Sequence, residues 1–244
     1  MTNGKPSLFT ILSPELLSLY DVKDSIVVII DILRATSTIT TALYNGASCV
    51  IPVDSVAEAI RIGKQTGGVT AGERDGKKAE GLEYGNSPFE YPAEFIRGKT
   101  LVLTTTNGTR LLQMALNNNA RAVITGSFNN LSAVTDYLIS RNENVILGCA
   151  AWKGRVNIED TLFAGAVAER LKPYFFINCD SSRIATSLYR EAKDDLFEFL
   201  KCNNASHYQR LTGFGLENDI RYCLTRDNAS VVVVYEGGKL VVRP

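Results

Sequence analysis

Asp31 ends the apolar run Ser25-Ile-Val-Val-Ile-Ile30, and Arg34, Thr36, Ser37 and Thr38 follow it closely. A charge at the end of a buried run needs a partner, because desolvating an unpaired carboxylate is costly. Two readings stand. Asp31 is a metal ligand or catalytic acid, or it pairs internally with Arg34 while Thr36 or Ser37 caps a helix. Thr104-Thr-Thr-Asn-Gly-Thr109 follows another apolar run, and its Asn-Gly pair suits a type I′ hairpin turn. Leu111, Leu112, Ala115 and Leu116 have helical spacing, which favours a strand-to-helix turn instead. With Asn107 as N-cap, the free amides of the first turn are suited to hold an oxyanion; a cap without a ligand is the plainer account.

Further candidates lie at other strand ends and in one long polar stretch. Residues 71–88, AGERDGKKAEGLEYGNSP, have no apolar periodicity and read as a functional loop or a mobile insertion. They contribute Glu73, Arg74, Asn86 and Ser87. Ser127 opens a polar helix start, and Lys153, Arg155, Glu159 and Asp160 follow the run Asn144 to Cys149. Glu159 and Asp160 suit a helix N-terminus, or with Asp31 an oxygen-ligated cation. Cys149 lacks a histidine neighbour in sequence and reads as a buried thiol rather than a nucleophile. His207 is the only histidine; helix capping and general acid are its two readings.

Composition narrows the classes. With 26 Lys+Arg against 26 Asp+Glu and no basic stripe, a nucleic-acid binder is disfavoured. No window approaches a membrane-spanning length, so no membrane partner is expected. The segment MTNGKPSLFTIL lacks the pattern of a secretory leader, and five cysteines without paired spacing read as reduced thiols. Both favour the cytoplasm. One histidine argues against a zinc centre, leaving a hard cation on oxygens, Mg²⁺, as the natural metal.

These residues must be positioned by strands alternating with helices. Strands are expected over 25–33, 46–53, 99–104, 120–125 and 144–149, with a C-terminal β-hairpin around Gly237-Gly238. Helices are expected over about 55–67, 107–117, 129–141, 159–172, 181–201 and 205–224. The pattern predicts an α/β protein with a largely parallel sheet between helical layers. No linker divides the chain, so residues 1–244 are read as one unit. The likeness between strand 26–33 with "RATSTI" and strand 144–149 with "EDTLFAG" suggests two related halves, divided near 125–145. Together the strand ends suit phosphoryl chemistry on a small anionic substrate.

"DILRATSTI", "AGERDGKKAEGLEYGNSP", "TTTNGT", "GSFNN" and "NIEDTLFAG", in this order and spacing, resemble the 2-phosphosulfolactate phosphatases. The resemblance implies a three-layer α/β/α fold, a homodimer, and Mg²⁺-dependent removal of phosphate from (R)-2-phospho-3-sulfolactate, a step of the coenzyme M pathway. By position it directs attention to Asp31 with Arg34, Glu73 with Arg74, Asn86 with Ser87, Thr105 to Thr109, and Glu159 with Asp160. The resulting expectation assigns the metal to Asp31, Glu73, Glu159 and Asp160, and catalysis to Asp31, Arg34 and His207. Phosphoryl oxygens go to Thr105, Thr106, Asn107, Gly108 and Thr109. Arg34, Arg74, Lys153 and Arg155 serve the sulfonate and carboxylate, with Thr36, Ser37, Asn86, Ser87 and Ser127 as further substrate contacts. An aspartyl-phosphate at Asp31 is disfavoured because Leu33, not a second Asp, stands two residues on. A non-catalytic binder of a phosphorylated or sulfonated metabolite is the rival outside the enzyme class.

Overall fold

The computed structural model describes residues 4–105 and 107–243. Its strands are β1 (Leu8–Ile11), β2 (Ser25–Ile30), β3 (Cys49–Val53), β4 (Val69–Arg74), β5 (Lys77–Lys78), β6 (Thr100–Thr104), β7 (Ala122–Gly126), β8 (Asn144–Cys149), β9 (Val232–Glu236) and β10 (Lys239–Arg243). They form one sheet in the order β1-β8-β2-β7-β9-β10-β3-β6-β4-β5. β1, β8, β2 and β7 run parallel, as do β3, β6 and β4. The hairpin β9–β10 joins these two groups, each hairpin strand pairing antiparallel with its neighbour. The C-terminal hairpin is therefore the centre of the sheet, not its edge.

The helices are α1 (Ala35–Tyr44), α2 (Val56–Thr66), α3 (Ala93–Ile96), α4 (Gly108–Asn117), α5 (Leu131–Arg141), α6 (Ile158–Leu171), α7 (Asp180–Ala192), α8 (Leu196–Cys202), α9 (Ser206–Thr212) and α10 (Glu217–Cys223). Successive side chains of a strand leave opposite faces, so a strand buried on both sides is apolar throughout. Val28 and Ile30 pack with Leu131, Val134, Leu162 and Val167 of α5 and α6. Val27 and Ile29 pack on the other face with Leu111, Leu112 and Ala115 of α4. The second parallel group has its own cores, with Ile39 and Leu43 of α1 on one face and Ala59 of α2 on the other. The expected α/β class with a largely parallel sheet is observed.

Several local expectations need correction. The stretch 71–88 is not structureless: it completes β4, forms β5, and buries Ala79 and Leu82. The helix expected over 181–201 breaks before Asp195, whose side chain accepts from the Glu198 amide and caps a new helix. The one expected over 205–224 breaks at Gly213–Gly215, where Gly215 has φ +74°. β1 was not anticipated. Ser55 does accept from the Glu58 amide, and Gly67 ends that helix at φ 64°, as the local motifs require. All five cysteines are free, and no helix among the described residues is long and apolar enough to cross a membrane.

The chain crosses between the parallel groups twice, from β2 through α1 to β3 and from β6 through α4 to β7. The starts of α1 and α4, which follow β2 and β6, lie side by side: a Cβ on Gly108 would come 3.7 Å from Ala35 Cβ.

Candidate active site

Asp31 sits where the two crossings meet. Its carboxylate lies by the Ala35 amide at the start of α1, which favours the charged form. A Cβ built on Gly108, the first residue of α4, would lie 3.2 Å from Asp31 Oδ2 and 3.7 Å from Ala35 Cβ. Glycine at 108 thus lets a second helix start approach the same carboxylate. Thr36 ties the turn, its Oγ1 donating to the Asp31 carbonyl at 2.9 Å, and Ser37 Oγ donates to the Ile32 carbonyl at 2.9 Å. Asp31 is 8% exposed. Burial pushes its carboxyl up to about 6; His207 opposes that rise, while Glu73 and Glu159 add to it.

A narrow cleft opens over this point, lined by Asp31, Arg34, Glu73, Asn107, His207 and Arg210, with Asn86, Thr105 and Trp152 among the rest of its wall. The C-terminal ends of β2, β4, β6 and β8 all deliver residues to it. His207, on α9, is buried, and its Nδ1 meets Glu159 Oε1 at 2.6 Å. Capping is therefore not its role. Glu159 and Asp160 open α6 and are each 1% exposed. Asp160 Oδ1 accepts from the Ile32 amide at 2.9 Å, which binds α6 to the turn after β2. Glu159 Oε2 and Asp160 Oδ2 are buried and have no hydrogen-bond partner among the described residues. Burial, then Glu159 and Asp31, push the Asp160 carboxyl well above the usual range. The same burial, with Asp160 and Glu159 adding to it, pushes the Cys149 thiol far up, so it is not a thiolate nucleophile.

Two guanidinium groups face the cleft. Arg34 Nη1 pairs with Asp219 Oδ1 of α10 at 2.6 Å, and Nη2 donates to the Gly76 carbonyl at 3.0 Å. Asp31 therefore does not need Arg34 as its partner. Arg210 lies over the Trp152 ring, 4.2 Å from its centre. Trp152 is presented by a tight turn in which Ala151, Lys153 and Gly154 all have left-handed backbone (φ 58°, 52° and 78°). Glu73 Oε2 accepts from the Gly76 amide at 2.8 Å, closing the β4–β5 turn against the cleft.

Other candidates are directed elsewhere. Arg74 donates to the Glu73 carbonyl and to Thr104 Oγ1, at 2.6 and 3.1 Å. Ser127 is fully buried in a capping box with Asn130. Arg155 is exposed on the strand-like turn facing Trp152, and Lys153, at the rim, pairs with Asp75 at 3.4 Å. Ser87 caps the turn at Pro88 and lines a neighbouring basic groove with Lys77 and Lys78. Thr105 Oγ1 and Thr109 Oγ1 are 3.4 Å apart under the start of α4. Asn107 occupies the N-cap position without a side-chain capping bond and turns to the cleft. Thr106 lies outside the described residues. Arg210, Trp152 and Asp219 were not among the expected site residues. For Arg210 a signal existed, since His207 and Arg210 are three apart and share a helix face.

The chain's relatives agree with one another. A family model described as 2-phosphosulpholactate phosphatase matches residues 11–238. A protein of Thermotoga maritima is 44% identical over 216 residues, covering 88% of this chain and 91% of its own length. One of Caldanaerobacter subterraneus subsp. tengcongensis is 42% identical over 222 residues, covering 89% and 90%. One of Clostridium acetobutylicum is 37% identical over 226 residues, covering 90% and 93%. Each is named a probable 2-phosphosulfolactate phosphatase. The chain belongs to the 2-phosphosulfolactate phosphatase family, a family of phosphoric monoester hydrolases.

Proposed function

We propose that this protein is a Mg²⁺-dependent phosphatase that hydrolyses 2-phosphosulfolactate to sulfolactate and phosphate, a step of the coenzyme M type, as a cytoplasmic homodimer. One observation carries the reading: the buried Asp31 carboxylate lies against the first residues of both α1 and α4, in a cleft shared with His207 and two arginines. Amides at the start of α4 and the Thr105 and Thr109 hydroxyls suit phosphoryl oxygens.

The donor chemistry fits Mg²⁺. Glu159 Oε2 and Asp160 Oδ2 are buried oxygens without partners among the described residues, beside a carboxyl that burial has raised. Among the described residues no three His, Cys, Asp or Glu converge on one point. Mg²⁺ is commonly held by one or two carboxylates with water and substrate phosphate completing its shell. Glu159 and Asp160 would hold it through these two oxygens, with Asp31 and Glu73 adding negative charge beside them. Bound there, the cation would polarise a phosphoryl oxygen and lower the pKa of a coordinated water.

In the proposed reaction a water oxygen bonds to phosphorus as the bond to the C2 oxygen of the lactate breaks. Glu159 holds Nδ1 of His207, which leaves Nε2 to give its proton to the departing oxygen. The proton lost by the attacking water goes to Asp31, the carboxylate that lines the same cleft. Helix-terminal amides stabilise the spreading charge.

The test is phosphate release from 2-phosphosulfolactate with and without Mg²⁺, for the wild type and Asp31→Asn. The phosphatase reading requires turnover that EDTA abolishes and that Asp31→Asn lowers by orders of magnitude. A protein that binds the ester without turnover is a binder, and equal rates in EDTA sink the metal.

A further inference from the structure

We propose that Arg210, laid on the Trp152 ring, recognises the sulfonate of the substrate and sets the preference for sulfonated over plain 2-phosphoacids. The proposal rests on the phosphatase reading above. Of the two guanidinium groups in the cleft, Arg34 is already committed to the buried Asp219 carboxylate and the Gly76 carbonyl. Among the described residues Arg210 forms no salt bridge and its buried Nε has no hydrogen-bond partner. It is held by stacking, 4.2 Å from the centre of the indole. A guanidinium stacked by its face keeps its edge N–H groups free for an oxyanion. Burial lowers its proton affinity, while Glu73, Glu159, Asp75 and Asp31 act from a distance to keep it charged.

Position selects which anion it meets. The phosphoryl group belongs at the deep end, against the starts of α1 and α4. His207, which faces the leaving oxygen, is one turn before Arg210 on the same face of α9. The next donor outward therefore meets a substituent of the carbon bearing that oxygen. Lys153, 57% exposed at the rim and 4.6 Å from the same indole centre, adds a second cation towards the mouth. Lys153 is paired with Asp75, so the cation without a salt bridge among the described residues is Arg210, outward of the reacting centre where the sulfomethyl arm would point. A sulfonate stays ionised at any working pH, is weakly hydrated, and matches a weakly hydrated guanidinium.

The experiment compares wild type, Arg210→Ala and Arg210→Lys on three esters: 2-phosphosulfolactate, 2-phospholactate without the sulfonate, and 2-sulfoethyl phosphate without the carboxylate. Arg210→Ala is expected to lower kcat/KM about 10- to 100-fold on both sulfonated esters, mainly through KM, and less than about 3-fold on 2-phospholactate. Arg210→Lys recovers part of the loss on the sulfonated pair only. Retained turnover of 2-phospholactate serves as the folding control. Equal losses on all three esters, or a loss confined to the two carboxylate-bearing esters, overturn the proposal. Calorimetric binding of sulfolactate against lactate to wild type and Arg210→Ala decides the same question without catalysis. If wild type turns over none of the esters, the phosphatase reading fails, and a sulfonate preference that vanishes in Arg210→Ala still supports the Arg210 assignment, whereas no such preference overturns it.

Discussion

His207 Nδ1 and Glu159 Oε1 meet at 2.6 Å in the protein interior, across 48 residues of sequence. A buried imidazole held at one nitrogen by a carboxylate has its ring orientation and tautomer set, leaving the other nitrogen to exchange a proton.

His207→Asn is expected to lower kcat on 2-phosphosulfolactate by about 10²- to 10⁴-fold. With an aryl phosphate, whose leaving oxygen needs no proton, the loss should shrink below about 10-fold. Steady-state rates on the two esters decide it, and equal losses would exclude His207 as the acid.

Asp31 predicts a stability profile for the metal-free chain. Its carboxyl is raised from 3.8 to about 6 in the folded state. Between those values the folded chain holds a proton that the unfolded chain has released, so stability falls as pH rises through the window. The contribution is on the order of 2–3 kcal/mol. Urea midpoints in EDTA should rise from pH 7 to pH 5 in wild type relative to Asp31→Asn, whose side chain does not titrate. Parallel curves would contradict the assignment.

The Arg34–Asp219 pair is almost closed to solvent, with side chains 5% and 8% exposed. Asp219→Ala leaves the guanidinium buried without its carboxylate and is expected to cost about 3–5 kcal/mol. The double change Arg34→Met with Asp219→Leu should cost less than Asp219→Ala, because no buried charge remains. Equilibrium denaturation of both variants measures this, and a cost below about 1 kcal/mol for Asp219→Ala would show that water reaches the pair.

Gly165, in α6, lets α7 approach so closely that a Cβ there would lie 2.0 Å from the Ala185 carbonyl oxygen. Gly165→Ala must push the helices apart, and since α6 begins with Glu159 and Asp160, the cleft moves with it. A loss of at least about 2 kcal/mol is expected, with a fall in kcat. Thermal unfolding and rate together test this; unchanged values in both would mean that α6 and α7 slide freely.

The legible parts of the fold are those whose burial is written locally. β2 is six residues buried on every face, and its unbroken β-branched run announces it. The hairpin β9–β10 carries its own turn. β4 was hidden because VTAGER is half polar and contains Gly72, which is needed where a Cβ would come 2.4 Å from the Thr104 carbonyl oxygen. Residue type and spacing at strand ends were enough to single out Asp31, Glu159 and Asp160, while Glu73 stood out only within the polar stretch 71–88.

The sequence by itself determined the α/β alternation, the acidic residues at strand ends, and the strand-to-helix turn at Asn107–Gly108, because periodicity and turn chemistry act over a few residues. Only the tertiary structure decided which of these meet. The two crossings over the central hairpin bring Asp31 to the start of α4, and the placement of α9 beside the start of α6 pairs Glu159 with His207. The pairing of β4 with β6 turns Arg74 to Thr104, and the placement of α9 brings Arg210 into the cleft. Contacts across dozens of residues depend on how buried faces dock, and nothing local in the chain records that.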